Sequence, residues 1–173
     1  MRHPLKPPSE PSRLQQFRST KAPFAGKLFT CARPGRSLGP AATPISDAIV
    51  KDWVSGLPPI RPLHIISLLG KKPPPKDISE YSFYSFRGGL ESERQRPGSV
   101  TLQQWLDHHY GPNEFIVIDY PTVDTEQIEV ETLSAIRSEV NSLLGSSATV
   151  IIVDSGGVGR TGKVCATIHA KAI

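Results

Sequence analysis

Cysteine is almost missing from this chain. Only Cys31 and Cys165 occur among 173 residues, far apart and in no metal-ligand spacing, which excludes a disulfide framework and a zinc-ribbon site. Both are expected to be buried, inert thiols. No apolar stretch has the length needed to cross a bilayer, and the basic N-terminus has no apolar core of the kind a secretion signal carries. A cytoplasmic protein without a transmembrane segment is the expectation. Acidic residues are scarce at the start. Residues 1–40 hold eight Lys or Arg against Glu10 alone, while the remainder carries a small negative surplus. No aromatic interleaving of a kind that suggests base stacking accompanies those basic residues, so no nucleic-acid partner is expected. The five prolines Pro4, Pro7, Pro8, Pro11 and Pro23 would interrupt an amphipathic transit helix. Residues 1–24 therefore read as a disordered basic Pro-rich arm, with one domain over 25–173.

The rest is ordered by its apolar runs. "GKLFTCARPG" (26–35) predicts a short strand closed by Pro34-Gly35, and Ile45, Ile49, Trp53 and Leu57 recur at helical spacing within 44–57, with Ser46 or Asp47 as the cap. "PLHIISLLG" (62–70) predicts a strand buried on both faces. After "KKPPPK", no period wins over 77–97, where Tyr81, Phe83, Tyr84 and Phe86 suggest a partly buried element before a polar loop containing "ESERQR". A helix is predicted over 99–111 and a strand over 114–120. A second helix is predicted over 130–145, where Leu133, Ile136, Val140, Leu143 and Leu144 form a stripe and Gly145 is the stop. A buried strand follows at 148–154, then a helix at 160–172. Strands that are nearly unbroken apolar runs, alternating with helices, imply an α/β fold: a central, mostly parallel sheet flanked by helices. Trp53 and Trp105 belong to its core. His108 and His109 diverge by about 100° on a helix and read as a partly exposed helix end, not as a ligand pair.

Ligands of such sheets sit at the carboxyl ends of the strands. "VDSGGVGRTG" (153–162) lies there, between the last strand and the last helix. Gly156, Gly157 and Gly159 allow backbone conformations closed to other residues, so loop amides can converge on an anion at a helix N-terminus. Arg160 adds a planar fork suited to phosphate oxygens. One reading is a nucleotide-binding P-loop module, since Gly157, Gly162 and Lys163 satisfy most of G-x-x-x-x-G-K-(S/T). Val164 stands where the Mg²⁺-binding hydroxyl belongs.

The loop resembles that of the cysteine-dependent protein tyrosine and dual-specificity phosphatase superfamily, whose signature is H-C-x5-R-(S/T)-G at this junction. Aligned on Arg160, the segment Ser155, Gly156, Gly157, Val158, Gly159 fills the five-residue loop, and Arg160-Thr161-Gly162 matches R-(S/T)-G. Val153 and Asp154 replace His and Cys. The family's general acid is an Asp about thirty residues upstream, after a strand and before a helix. Asp124, in "IDYPTVDTEQIEVETL", has that place and is preferred to Asp119, which lies within the strand pattern. "GKLFTCARPG" resembles the entry strand and turn of small bacterial-type members. The resemblance spans about residues 25–173.

It implies a phosphatase-like fold that binds a phosphorylated protein or small phosphoester through the 154–160 loop, with no metal and no cofactor. It also implies that Arg160 holds the equatorial oxygens, that Asp124 protonates the leaving group and that the Thr161 hydroxyl aids release of the phosphoenzyme. The nucleophile is the departure. An ionised Asp154 would repel an incoming unit charge about 4 Å away by roughly 1 kcal/mol in water and about 4 kcal/mol at an intermediate dielectric. Asp154 could equally satisfy Arg160 and the loop amides itself, as an internal anion. An aspartyl phosphoenzyme is conceivable, but such enzymes recruit Mg²⁺ with further carboxylates, and none adjoins "DSGG". The expectation is a catalytically impaired member, a pseudophosphatase; the alternative is an active phosphoester hydrolase (protein phosphatase) with a non-standard nucleophile. Family domains continue past the last helix with more helical structure. The stop at Ile173 fits either a natural minimal form or a C-terminally truncated reading frame.

Overall fold

The structure, a computed structural model, describes residues 15–17, 25–36, 46–70, 101–123 and 125–169. The elements are β1 (Gln15–Phe17), β2 (Lys27–Ala32), α1 (Asp47–Ser55), β3 (Leu63–Ser67), α2 (Leu102–Tyr110), β4 (Phe115–Asp119), α3 (Val130–Gly145), β5 (Thr149–Asp154) and α4 (Gly159–His169). They form one sheet in the order β1-β2-β5-β3-β4. β2, β5, β3 and β4 are parallel to one another, and only β1 runs antiparallel.

The apolar runs owe their continuity to helices on both faces. Ile151 and Val153 of β5 pack with Cys31, Leu63 and Ile65 under Val50, Trp53 and Val54 of α1 and Leu102, Trp105 and Leu106 of α2. Val150 and Ile152 pack with Leu28 and Ile66 against Ile136, Val140 and Leu144 of α3 and Val164, Cys165 and Ile168 of α4. Successive residues of a strand point to opposite faces. With both faces covered, every residue of β5 is buried, whereas the edge strand β4 is only partly so. Each fully buried Val or Ile contributes roughly 1.5–3 kcal/mol.

Three expectations change. Residues 15–17, inside the segment read as disordered, pair with Thr30, Phe29 and Leu28. The cause is the outer edge of β2, whose backbone groups accept a strand that has no apolar period of its own. Gly145 does not stop α3. It is the last helical residue, and the left-handed turn falls on Ser147 at φ 66°, with the Ser147 and Ala148 amides bonded to the Leu144 and Leu143 carbonyls. Ser46 is the N-cap of α1 but its side chain makes no capping bond, and the Asp47 carboxylate instead accepts from Trp105 Nε1 at 2.9 Å. The 77–97 segment, with "ESERQR", lies outside the described residues.

Candidate functional site

Because four strands are parallel, their carboxyl ends share one edge of the sheet. Asp154 ends β5, Ser67 ends β3, Asp119 ends β4 and Ala32 ends β2. Asp154, Ser155, Arg160 and Thr161 are all buried there.

The loop closes on its own carboxylate. Asp154 is 2 % exposed, and a buried carboxylate needs donors for its oxygens. Oδ1 accepts a hydrogen bond from the Gly157 amide, and Oδ2 accepts from the Thr161 amide at 3.0 Å in the first turn of α4. The helix dipole favours negative charge at this point. Asp154 thus has two donors of the kind that a bound phosphate would use.

Of the three loop glycines, one is required by geometry. Gly157 has φ +74°, and a Cβ there would lie 2.5 Å from the Ala32 nitrogen and 2.7 Å from the Cys31 carbonyl carbon. The tip of the loop lies directly on the backbone of β2. Gly156 and Gly159 lack a positive φ, and a Cβ at either would meet nothing within 4 Å. Val158 projects into solvent.

Arg160 is directed sideways. Its Nη1 donates to the Leu68 carbonyl at 2.9 Å, to Thr122 Oγ1 at 3.2 Å and to the Thr122 carbonyl at 3.4 Å. The Thr122 hydroxyl itself donates to Leu68 O at 2.6 Å. Gly70 completes this junction, since a Cβ there would sit 2.1 Å from the Thr122 carbonyl oxygen. The guanidinium therefore ties the segment after β3 to the loop after β4. Leu68, Gly70 and Thr122 carried no signal as site residues in the sequence. Leu68 and Thr122 meet Arg160 only because strand order places the ends of β3 and β4 beside β5.

Asp124 lies outside the described residues. Asp119 is described: it ends β4 with its side chain reaching solvent, and the protein packed around it raises its pKa, opposed by a hydrogen bond with Ser67. Neither cysteine is a ready nucleophile. Burial, reinforced by the charge of Asp154, pushes the Cys31 thiol far up, and burial pushes Cys165 up to about 11. A thiol so raised is protonated and unreactive at neutral pH. Val164, the position a nucleotide loop needs as a hydroxyl, is a buried core residue of α4. His108 and His109 lie at the end of α2. Their rings meet edge to face, and His109 packs on Trp105 with its Nε2 3.8 Å from Asp47 Oδ2. Among the described residues, no cluster of three or more His, Cys, Asp or Glu is placed to hold a metal, and no helix is long and apolar enough to cross a membrane.

No family model, curated protein or solved structure matches the chain.

Proposed function

We propose that residues 25–173 form a tyrosine/dual-specificity phosphatase-like domain that recognises a phosphorylated protein or small phosphoester at the 154–160 loop and is catalytically impaired. The observation that carries the proposal is Asp154 at the end of β5, bonded to the Gly157 and Thr161 amides, where the resemblance requires a thiolate. Support comes also from the order of parts: a buried parallel strand, a tight loop, Arg160, then a helix. Attack on phosphorus needs an unencumbered nucleophile. Here the carboxylate is engaged by two amides, and both thiols are held protonated.

The test is hydrolysis of an aryl phosphate by the wild type, Asp154→Cys, Asp154→Ala and Arg160→Ala. The wild type is expected at background. Asp154→Cys restores a nucleophile and is expected to raise the rate by at least about tenfold, and adding Arg160→Ala should abolish that gain. Substantial wild-type turnover lost in Asp154→Ala would establish an aspartyl nucleophile and refute the impaired reading. No gain in Asp154→Cys would remove the main support for the phosphatase register.

A further inference from the structure

We infer that Asp154 is a resident competitor: its carboxylate occupies the loop amides that a phosphorylated ligand needs, so this side chain sets the affinity of the site. The inference rests on the phosphate-loop reading above and adds its regulation.

The amide of Gly157 comes from the tip of the loop and the amide of Thr161 from the first turn of α4, so the carboxylate bridges the loop across its span. An entering anion must break both bonds or leave those donors out of its own coordination. It must also approach a like charge that is almost wholly shielded from water, where screening is weak. The loop cannot relieve the conflict by moving back. Gly157 already lies on the backbone of β2, without room for even a Cβ. Nor is the Arg160 Nη1 idle, because it is bonded to Leu68 O and Thr122. Carboxylate rotation out of the loop is the movement that makes room, and it exposes the two amides in the same step.

The charge and the hydrogen bonds can be separated by substitution. Asp154→Asn keeps the volume and one acceptor oxygen but removes the charge; Asp154→Ala removes both. The probe is inorganic phosphate, titrated into the full chain and followed by calorimetry and by the amide resonances of Gly157 and Thr161, with a thermal melt confirming that each variant is folded. Phosphate is expected to bind Asp154→Asn at least about tenfold more tightly than wild type, as removal of a unit-charge repulsion implies. Both amides should shift on binding. If the wild type binds phosphate as tightly as folded Asp154→Asn, the competitor role is refuted while the phosphate-binding reading survives. If neither the wild type nor folded Asp154→Asn binds phosphate, the phosphate-binding reading falls and the inference with it. Should Asp154→Ala fail to fold, Asp154→Asn carries the comparison alone.

Discussion

At the scale of the residue, Gly157 carries the most geometric information. With φ at +74° and the β2 backbone within 3 Å of a would-be Cβ, Gly157→Ala adds both backbone strain and a steric clash. It is expected to cost on the order of 2–4 kcal/mol in urea denaturation. Gly156→Ala, which adds a methyl to open space, should change stability by no more than about 0.5 kcal/mol. Equal losses from the two substitutions would contradict the packing of the loop on β2. The sequence shows three equivalent glycines, because composition records which residues permit a turn and not which turn is made. Asp154 was legible as a carboxylate at the end of a buried strand, and its bonding to loop amides was among the arrangements that its charge allowed. The partners of Arg160 were not legible. Leu68 and Thr122 lie 92 and 38 positions away in the chain, and they contribute backbone carbonyls and one hydroxyl, groups that mark no motif.

At the scale of the element, helices and strands were readable to within a few residues wherever a single period dominated, as in α3 and β5. Their edges were less so, because an edge is a relation between elements. The outer edge of β4 is covered by a side chain of α2. Gln103 Nε2 donates to the Phe115 carbonyl at 2.9 Å, and Gln103 Oε1 accepts from the Val117 amide at 2.7 Å, as a neighbouring strand would. Gln103→Ala is expected to lower stability by about 1–2 kcal/mol. Amide exchange should accelerate at Val117 and remain unchanged at the central strand; unaltered exchange at Val117 would show that this edge is not held by α2. The start of α2 has a full capping box, with the Gln104 amide donating to Thr101 Oγ1 and the Thr101 amide to Gln104 Oε1. Thr101→Ala should cost about 1 kcal/mol, read as a lower urea midpoint with an unchanged m-value.

At the scale of the whole molecule, the titrating groups define a pH window. Burial lowers the pKa of His64 and His109 below 6.5, opposed by the charges of Glu139 and Asp47 respectively. The fold therefore favours their neutral forms. The unfolded chain takes up these protons first on acidification, so this stability is present above about pH 6.5 and is lost as pH falls below it. The cysteines act in the opposite direction. With Cys165 raised from 9.0 to about 11 and Cys31 raised further, the fold keeps both thiols protonated, and stability is lost as pH rises above about 9. The urea midpoint is expected to be flat between about pH 6.5 and 9 and to fall on either side. His64→Gln combined with His109→Gln should flatten the limb between about pH 6.5 and 5. A midpoint that rises in the wild type over that range would overturn the assignment.

The place of β5 in the sheet has a kinetic consequence. β5 lies between β2 and β3, pairing Thr149 with both Lys27 and Leu63, so the middle of the sheet belongs to a strand that a ribosome makes after β1, β2, β3 and β4. Until Asp154 has emerged, β2 and the β3–β4 pair are separate pieces, each with an open flank where β5 belongs. Pairing across such a distance in sequence carries a large loop-closure cost and makes folding slow. The growing chain must therefore wait, with those flanks available to chaperones or to other nascent chains, for the same strand that delivers Asp154 to its loop.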